Sequence, residues 1–594
     1  MVAGTIQRTF EIAAFCAEKY GAKAAFFQLR NQKWTATSCS EYFQRAHQLA
    51  LGFMLSGIQK GENVATIFSY NCPNWNFTDM ALSLCGAVHI PVYPTISDSD
   101  YIYILNQSEV KIVIVSDQAL FNKVSELRDR IPGLKRIISS EKLASVEHLD
   151  EVAQLGASAD SITTERLEEL KRDIQPDDVA TIIYTSGATG FPKGAMLTHN
   201  NLVSNMLAAA EKQPLSTGHR ILSFLPLCHV YERTANYQFQ VKGAEIYYCG
   251  GLKALMHNFI SVKPHGTTVV PRVLEKIIKM VLVSSRKRNF IIRIAVNWAV
   301  NFGMKHKPYQ KRGRFYILRL KLAYIAVFRR VKASMGGKLK YIGCGGAPIS
   351  DKIERFFWAA RMPVYQGYGL TECSPLVSLN HPGKGNYWLG SVGPLVNQVE
   401  VKIAGDGEIL VKGPNVMKGY FKHSDLTGET IIDGWLHTGD TGRFIRNSFL
   451  QITGRKKQMF KTSFGKYIVP QAIENKFSGS PYISHIVVVG EGKHCAAAII
   501  SPNFTFLKEN YSKFRKLSNN KIIADSFFTE TIQKEVDKVN QQLGKTEQIK
   551  KYLVVPDTWG IGSGELSASS IIKRNIIHKK YRKQIHNLFR DESL

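Results

Sequence analysis

The 594-residue sequence predicts an α/β protein with a large N-terminal domain that includes a β subdomain, followed by a small α/β C-terminal domain. Three observations predict this fold class. Strand-like segments alternate with helix-like segments in the N-terminal part, which favours layered, mostly parallel sheets covered by helices. From residue 390 the pattern changes to strands and turns. A single hydrophobic core stops growing at roughly 250–300 residues, so the length requires at least two domains.

The alternation in the N-terminal part rests on short segments with clear periodicity. Residues 40–55 and 75–85 have helical patterns, and residues 157–178 are polar and compatible with a surface helix. Short apolar runs that end at turns predict strands at residues 64–68, 87–93, 111–115 and 179–184. Residues 194–210 then predict a helix. These elements together predict a sheet with helices on both faces.

The C-terminal part contains the predicted domain boundary. The predicted strands of the β subdomain are residues 399–403, 408–412 and 449–453. A compact α/β tail follows the sequence GRKK, and its predicted strands are residues 485–489, 495–500 and 551–555. We therefore predict domains of residues 1–453 and 454–594.

The charge balance is strongly basic. The chain has 77 Lys and Arg residues against 48 Asp and Glu residues, a formal net charge of +29 and a pI near 9.6. Such a chain favours polyanionic partners, namely nucleic acid, anionic lipid, nucleotides or CoA, and the alternative is a solvated basic surface. The sequence has no zinc motif, helix-turn-helix or RNA-recognition pattern, so we expect no nucleic-acid partner.

Residues 284–338 predict two basic amphipathic helices. Residues 290–304 are nearly all apolar, and Arg293, Asn297 and Asn301 recur every fourth residue, which leaves one narrow polar stripe. The basic segment 305–314 leads to a second helix at 315–328. Helices of this kind suit a peripheral membrane contact. The alternative is a helical pair packed on the sheet with its basic edge in water.

The N-terminal residues and the cysteines bear on location. No basic start is followed by an apolar run, and no segment reaches the ~18–20 apolar residues of a membrane-spanning helix. The nine cysteines are scattered without CxxC pairs, which favours reduced thiols. We expect a cytoplasmic protein, with peripheral contact at the inner membrane surface as an open alternative.

The strongest chemical signal is the glycine-rich tract YTSGATGFPKG at residues 184–194, between a predicted strand and a predicted helix. Its glycines let backbone N–H groups point at phosphate oxygens, while hydroxyls and a lysine add further donors. The spacing differs from that of a Walker A loop. The candidate phosphate-binding residues are Thr185, Ser186, Gly187, Thr189, Gly190 and Lys193.

This tract resembles the phosphate-binding motif of the acyl-adenylate-forming superfamily, the AMP-dependent synthetases and ligases. The family usually has Thr or Ser where this chain has Ala188. Other motifs extend the resemblance over nearly the whole chain, and they are LPLCHVYER at 225–233, GGAP at 345–348, QGYGLTE at 366–372, WLHTGD at 435–440 and GRKK at 454–457. The first of these and the basic insert at 284–338 look most like long-chain acyl-CoA synthetases.

The motif chemistry suggests individual roles in the nucleotide site. Tyr368 offers a flat face for adenine, Thr371 can hydrogen-bond near the α-phosphate, and Glu372 is a hard oxygen ligand for Mg²⁺, with Thr185 as a second metal ligand. The resemblance implies that Asp440 binds the ribose hydroxyls. The remaining implied nucleotide-binding residues are Gly345, Gly346, Ala347, Gln366, Gly367, Gly369 and Arg455.

The resemblance also implies an acyl pocket and a mobile C-terminal lid. His229 and Tyr231 would lie at the acyl pocket, and Lys457 would be the hinge. Gly465 and Lys466 would approach CoA. The N-terminal domain would then bind nucleotide and acyl group, and the C-terminal domain would rotate over them.

The implied reaction has two steps and needs ATP, Mg²⁺ and CoA. A fatty acid carboxylate attacks the α-phosphorus of ATP to give an acyl-adenylate, and a thiolate then displaces AMP. The implied activity is that of a long-chain fatty acid–CoA ligase, and the alternative thiol acceptor is an acyl carrier protein. Thr185, Lys193, Glu372 and Lys573 are the candidate catalytic residues.

One position departs from the family pattern. Aligning SIIKR at 570–574 with that pattern places Ile571 where the family has a lysine that bridges carboxylate and α-phosphate. Lys573 lies two residues further on, which is the same face of an extended segment. Losing one such stabiliser typically costs ~10²–10³ in rate. Either Lys573 replaces the lysine or the chain is a catalytically impaired family member.

Overall fold

The structure is a computed structural model and describes residues 5–186, 192–251, 254–286, 288–308, 313–383, 385–456, 460–463, 467–545, 547–567 and 571–590. It has the predicted α/β class. The N-terminal part contains two large sheets with helices packed on them and a smaller β sheet, and an α/β C-terminal domain follows.

The first large sheet has the order β17-β8-β7-β4-β3-β5-β6 in the described residues. Strands β3 to β7 pair in parallel, whereas β8 runs antiparallel to both β7 and β17. The sheet is therefore parallel in its centre and antiparallel at the β17 edge. Its strands are β3 (Asn63–Ile67), β4 (Val88–Val92), β5 (Ile112–Val115), β6 (Arg136–Ser139), β7 (Val179–Ser186), β8 (Pro192–Thr198) and β17 (Gly419–Tyr420).

The second large sheet has the order β14-β13-β12-β11-β9-β10-β1-β2 in the described chain. Its strands β1 and β9 to β13 pair in parallel, and β2 and β14 are antiparallel at the two edges. The strands are β1 (Ala24–Arg30), β2 (Lys33–Ser38), β9 (Arg220–Ser223), β10 (Glu245–Tyr248), β11 (Gly266–Val269), β12 (Tyr341–Cys344), β13 (Val364–Gly369) and β14 (Leu376–Leu379).

Helices cover these sheets because their apolar faces pack into the sheet cores. The helices of this part are α1 (Glu11–Tyr20), α2 (Cys39–Leu55), α3 (Pro73–Leu84), α4 (Asp98–Gln107), α5 (Gln118–Glu126), α6 (Leu149–Ala157), α7 (Ser161–Asp173), α8 (His199–Lys212), α9 (Val230–Val241), α10 (Leu255–Val262) and, after β12, α15 (Asp351–Ala359). Short 3-10 turns lie at Arg128–Arg130 and Thr371–Cys373.

The basic region 284–338 lies within the crossover from β11 to β12. As predicted, it is helical: α12 (Phe290–Gly303) is followed by α13 (Arg314–Ala323), a π-helical turn (Tyr324–Phe328) and α14 (Arg329–Ser334), after α11 (Pro271–Arg286). The predicted polar stripe of Arg293, Asn297 and Asn301 is exposed. No helix among the described residues is long and apolar enough to cross a bilayer.

The β subdomain packs beside the first sheet, and the C-terminal part follows it. The subdomain contains β15 (Glu400–Ile403), β16 (Glu408–Lys412), α16 (Ser424–Thr430), β18 (Ile431–Ile432), β19 (Trp435–Ile445) and β20 (Phe449–Arg455). The C-terminal elements are β21 (Phe460–Lys461), β22 (Tyr467–Ile468), α17 (Pro470–Glu474), the 3-10 turn Asn475–Phe477, β23 (Ile483–Val489), β24 (Ala496–Pro502), α18 (Phe504–Asn510), the 3-10 turn Ser512–Phe514, α19 (Asn519–Ile523), α20 (Ser526–Asn540), β25 (Ile549–Val554), α21 (Arg574–Lys580) and α22 (Arg582–Leu588).

The C-terminal part has cores of its own and contacts α11. Two hydrophobic clusters are built only from residues after position 459. Across to α11, the Ser478 hydroxyl donates a hydrogen bond to Glu275 Oε1 at 2.9 Å, and the Lys279 ammonium lies 5.2 Å from the centre of the Phe506 ring. These contacts are few and polar compared with the cores on either side.

One predicted helix was wrong at its start. Residues 194–198 belong to strand β8, and the helix begins only at His199. Thr198 caps it, because its hydroxyl accepts a hydrogen bond from the Asn201 N–H at 3.1 Å while the Asn201 side chain accepts from the Thr198 N–H at 2.9 Å. This reciprocal capping pair fixes the boundary that the sequence reading missed.

The same strand corrects the setting of the glycine-rich tract, which we predicted between a strand and a helix. The tract joins two antiparallel strands, with Thr185 opposite Lys193 and Tyr184 opposite Gly194. A Cβ atom on Gly194 would lie 2.7 Å from Ile182 Cγ2, so this position needs glycine for the strands to approach. The phosphate site therefore cannot use a helix N-terminus directly after the tract.

Candidate active site

The glycine-rich tract presents Thr185 and Lys193 at its two ends. Thr185 Oγ1 lies 3.5 Å from the Lys193 carbonyl oxygen, at the limit of a hydrogen bond, so this hydroxyl is largely available to a ligand. The Lys193 ammonium lies 5.4 Å from the centre of the Tyr420 ring. Gly187, Thr189 and Gly190 fall outside the described residues, as does the side chain of Ser186.

Tyr420 also holds Glu372 close to Lys193. The Tyr420 hydroxyl donates a hydrogen bond to Glu372 Oε1 at 2.8 Å, and the Met417 N–H donates to the Glu372 carbonyl at 2.9 Å. Burial and then the Glu372 carboxylate raise the pKa of Tyr420 well above its usual value, so the hydroxyl remains a donor. Glu372 Oε2 accepts no hydrogen bond from the described residues. It therefore offers a half-buried carboxylate oxygen for a cation.

Asp440 lies between Tyr368 and Arg455. Its Oδ2 accepts a hydrogen bond from the Tyr368 hydroxyl at 2.8 Å, and its Oδ1 accepts from Arg455 Nε at 2.8 Å. Burial and then the Asp440 charge raise the pKa of Tyr368 well above its usual value, and Asp440 raises that of Arg455. The pairing follows from the strands, since Asp440 on β19 lies directly opposite Arg455 on β20. The carboxylate is thus fixed from two sides.

A largely apolar cleft lies beside these groups. The cleft contains about 660 Å³ of space between its walls, counting its open mouth. Eight predicted site residues line it, and they are His229, Tyr231, Gly345, Gly346, Gly367, Tyr368, Gly369 and Thr371. Tyr368 and Thr371 connect it to the polar groups, because Tyr368 bonds Asp440 and Thr371 precedes Glu372. The structure thus brings these eight predicted residues together in one cleft.

Two glycines of the cleft wall lie against neighbouring wall residues. A Cβ atom on Gly369 would lie 1.8 Å from the Pro375 carbonyl oxygen, which excludes any other residue without movement of the backbone. A Cβ atom on Gly345 would lie 3.4 Å from the Tyr231 ring. The ring of Tyr231 therefore packs directly on the backbone that leads out of β12.

His229 is a neutral imidazole at the start of α9. Burial lowers its pKa to about 4. Its Nδ1 accepts a hydrogen bond from the Tyr231 N–H at 3.1 Å, which caps the helix and leaves the ring proton on Nε2. The side chain thus has a structural role in addition to lining the cleft.

The inner end of the cleft is polar. The cleft runs along α9 from Val230 to Gln238, a length of about 12 Å at 1.5 Å per residue. Gln213, Gln238 and Tyr341 line that end, and the Gln213 amide nitrogen donates to the Gln238 side-chain oxygen. Gln213 Oε1 is buried and has no hydrogen-bond partner within the described structure. The sequence reading did not identify these three residues.

A buried ion pair fixes α9 against helix α3 and the first large sheet. Arg233 pairs with Asp79 on α3, and its Nη1 donates to Thr181 Oγ1 on β7 at 2.8 Å. Burial alone would raise the pKa of Asp79, but Arg233 and the hydrogen bond from His89 outweigh it and lower that pKa. Because β7 leads into the phosphate tract, this network couples the position of His229 to that of Thr185.

Some predicted residues lie elsewhere. Gln366 is buried on β13, and Ala347 is exposed beyond the end of β12; neither lines the cleft. Lys573 lies in the C-terminal part, where its N–H donates to the Glu565 carbonyl at 2.8 Å, and among the described residues no hydrogen bond or ion pair joins it to the cleft. Lys457, Gly465 and Lys466 fall outside the described residues.

Ile571 lies beside Lys573 and is 52% exposed. Ile572 pairs with Leu566 in an antiparallel bridge, which makes the segment locally extended. Residues 571 and 573 therefore project from the same side, as the sequence predicts. Whether Lys573 acts in catalysis stays a prediction.

Tyr420 was the main functional residue that the sequence reading missed. It lies in the run KGYF, about fifty residues beyond Glu372, and it reaches the site because the two-residue strand β17 pairs with β8. Only the aromatic residue after a glycine was available as a signal. The Arg233–Asp79 pair was also missed, although Arg233 is the last residue of the motif at 225–233.

Comparison with protein families covers most of the chain. The family model described as AMP-binding enzyme matches residues 13–421, and the model described as AMP-binding enzyme C-terminal domain matches residues 458–593. The chain belongs to the AMP-binding enzyme family. The general chemistry of this family, ATP-dependent formation of an acyl-adenylate, therefore applies to it.

Curated relatives of this family member match most of its length. It is 32% identical over 569 residues to the Long-chain-fatty-acid--CoA ligase FadD15 of Mycobacterium bovis, covering 94% of this chain and 93% of that protein. It is 31% identical to the Long-chain-fatty-acid--CoA ligase 1 of Homo sapiens, covering 90% and 80%. These are the proteins that the chain resembles in sequence.

Solved structures of the same fold are more distant in sequence. The adenylation domain of a carboxylic acid reductase from Segniliparus rugosus, in complex with AMP and a co-purified carboxylic acid, matches with a TM-score of 0.76 and 18% identity over 99% of this chain and 94% of that one. O-succinylbenzoate Coenzyme A Synthetase from Bacillus subtilis, in complex with AMP, matches with a TM-score of 0.68 and 19% identity over 95% and 97%. At these identities the likeness establishes the fold.

Proposed function

We propose that this AMP-binding enzyme is a long-chain fatty acid–CoA ligase. One observation carries the proposal: Tyr368, which bonds Asp440, lines a largely apolar cleft, and Thr371 of the same wall precedes Glu372, which Tyr420 holds beside Lys193. Polar groups suited to a nucleotide thus meet a pocket suited to an apolar acid. The names of the relatives in Mycobacterium bovis and Homo sapiens support the choice of a long-chain fatty acid.

In the first step, the acid carboxylate would attack the α-phosphorus of ATP and release pyrophosphate. Lys193 and the tract hydroxyls would hold the departing phosphates, and Asp440 would fix the ribose. Catalysis would then come from positioning and from fixed charges, because the reaction needs no side-chain nucleophile. The apolar cleft would hold the acyl chain and exclude water from the mixed anhydride.

Glu372 and Thr185 provide oxygen atoms that fit one Mg²⁺ ion. Mg²⁺ usually binds through one or two carboxylates together with substrate phosphates, and no group of three or more potential ligands occurs among the described residues. Glu372 Oε2 is the available carboxylate oxygen, and Thr185 Oγ1 is the available hydroxyl. When bound, the ion would neutralise phosphate charge. Tyr420 would keep the carboxylate oriented towards it.

In the second step, the thiolate of CoA would displace AMP from the adenylate. We propose that the domain of residues 454–594 rotates relative to residues 1–453, with Lys457 as the hinge and Gly465 and Lys466 near CoA. The polar contacts between α11 and the C-terminal part support this motion, because such contacts can be exchanged for contacts with water. An acyl carrier protein is the alternative acceptor, and the basic charge of the chain suits either partner.

One assay tests both the thiol acceptor and the acid substrate. The full-length protein is assayed with ATP and a series of acids from acetate to stearate, once with CoA and once with acyl carrier protein. We expect thioester formation with palmitate and CoA at the highest kcat/KM. A highest value for a short or aromatic acid would contradict the substrate class, and thioester formed only on carrier protein would contradict the acceptor.

Ile571 motivates the rival proposal, a family member with impaired turnover. Palmitate-dependent exchange of pyrophosphate into ATP separates the two, since exchange requires only the first step. Exchange above the acid-free background supports the ligase. Exchange that appears only in an Ile571→Lys variant would support the impaired member.

A further inference from the structure

Helix α13, the second basic helix, carries an apolar stripe that no described residue covers. Phe315, Leu318, Leu322 and Ile325 are 71%, 53%, 53% and 66% exposed. At 100° per residue, the first three lie within about 60° of one another on α13, and Ile325 continues the stripe into the π-helical turn. Ala323, on the inward side, is fully buried. The apolar residues therefore form an outward face and are not part of the core.

Helix α12 adds exposed apolar residues to the same bundle. Phe290, Ile291 and Ile294 at its start are 65%, 75% and 51% exposed. Further along, the Phe302 ring lies 5.1 Å from the Tyr316 ring of α13, so the two helices pack on each other. Large exposed apolar patches on a folded protein mark interaction sites.

The charges around this bundle have one sign. Residues 284–338 contain fifteen Lys and Arg residues and no Asp or Glu. Ten of these cations are exposed and form no ion pair with any described residue, and they are Arg288, Arg293, Lys305, Lys307, Arg314, Arg319, Lys321, Arg329, Arg330 and Lys338. On α13 the helical wheel places Arg319 on one edge of the apolar stripe and Lys321 on the other. The Arg319 guanidinium lies 5.4 Å from the centre of the Phe315 ring.

We infer that the α12–α13 face docks on an anionic lipid bilayer. An amphipathic helix lying in the interface buries its apolar face at the acyl boundary, while long basic side chains reach the headgroups. Stable anchoring takes two signals, and this face has both an apolar stripe and a polybasic border. A second copy of the chain fits poorly, since a two-fold contact would oppose like charges.

The α12–α13 face belongs to a crossover that borders the cleft. The role we give to its membrane contact rests on the proposed function. Helices α11 to α14 connect β11 to β12, and both strands contribute to the cleft through Thr268 and Cys344. A long-chain acid partitions into the bilayer. A protein docked through this crossover takes its acid where the acid is concentrated.

The test uses co-sedimentation of the full-length protein with vesicles, without ATP or acid. We expect binding to phosphatidylcholine vesicles that contain phosphatidylglycerol, weak binding to pure phosphatidylcholine, and loss of binding as salt is raised from about 0.1 M to about 1 M. Because no substrate is present, failure of the ligase assay leaves this result intact. Equal binding to both vesicle types or absence of binding would overturn the inference.

Variants separate the two signals. Phe315→Ser combined with Leu318→Ser should lower the partition coefficient more than tenfold, from about 1.5–3 kcal/mol for each large apolar side chain buried. Arg319→Gln combined with Lys321→Gln should lower it about 30-fold on anionic vesicles alone, from about 1 kcal/mol per cation.

The matched control lies on α7, where Ile162 is 72% exposed and Arg166 is also exposed. Ile162→Ser combined with Arg166→Gln should bind like the wild type, and an equal loss there would overturn the inference. All variants should keep the wild-type thermal midpoint and the rate with water-soluble octanoate, because the changed residues are exposed and remote from the cleft. A wild-type dimer that the α13 variants convert to monomer would identify a second copy as the occupant and also overturn it.

Discussion

Replacing Tyr420 by phenylalanine tests whether this residue holds Glu372 for the first step. The change removes the hydroxyl that donates to Glu372 Oε1 at 2.8 Å and keeps the ring beneath Lys193. A hydrogen bond to a charged group contributes about 1.5–3 kcal/mol. Because water can reach the half-buried carboxylate and replace part of the bond, we expect the lower end of this range. That predicts a drop in kcat/KM for ATP of roughly tenfold.

The assay is initial-rate kinetics with ATP and Mg²⁺ varied separately at saturating acid. The half-saturating Mg²⁺ concentration should rise together with the KM for ATP, because both depend on the same carboxylate. Since the pKa of Tyr420 is well above its usual value, the ratio of the two enzymes should stay constant from neutral to mildly alkaline pH. Tyr247→Phe is the control, because its hydroxyl donates to Glu245 at 3.3 Å and lines no part of the cleft. An unchanged kcat/KM for ATP in Tyr420→Phe would refute the assigned role.

Three further predictions follow from the structure. Arg233→Met leaves the Asp79 carboxylate buried without its guanidinium partner, so the free energy of unfolding in urea should fall by about 3–5 kcal/mol. Ile571→Lys should raise palmitate-dependent pyrophosphate exchange by up to ~10²–10³ if that lysine is the missing stabiliser. Burial lowers the pKa of His229 to about 4, so the unfolded chain binds the proton first and stability falls as pH drops below about 6.5. His229→Asn can still cap α9 and should reduce this acid loss, measured by urea unfolding across a pH series.

Each of these predictions has a contradicting result. A loss below about 1 kcal/mol in Arg233→Met would mean that the Asp79 network contributes little to the native state. An Ile571→Lys variant with unchanged exchange, beside an inactive Lys573→Ala variant, would show that Lys573 already provides the charge. If His229→Asn loses as much stability at acidic pH as the wild type does, groups other than His229 cause that loss.

The sequence predicted the fold class and the cleft residues because the chemistry was local. In QGYGLTE, one segment of seven residues carries the aromatic face, the glycine that contacts the Pro375 carbonyl and the carboxylate, so their proximity follows from the chain itself. The strands β3 to β5 were found for a similar reason, since fully buried strands read as continuous apolar runs.

The sequence reading failed where distant segments decide the structure. Residues 194–198 look helical by composition, but their pairing with β7 and β17 makes them a strand. Tyr420 reaches Glu372 only through that same pairing. The polar inner wall combines Gln213 just after α8, Gln238 on α9 and Tyr341 on β12, and no spacing in the sequence connects them. Tertiary pairing outweighed local preference in each case.

The central claim is that one cleft forms an acyl-adenylate with Glu372 and Asp440 as fixed carboxylates. Its most direct test is a single-turnover reaction of the full-length protein with palmitate, ATP and Mg²⁺ but no thiol, analysed by mass spectrometry for palmitoyl-AMP. We predict bound palmitoyl-AMP in the wild type and its loss in Glu372→Gln and Asp440→Asn, both with unchanged thermal midpoints. Wild-type protein without palmitoyl-AMP, or variants that accumulate it at the wild-type rate, would contradict the claim.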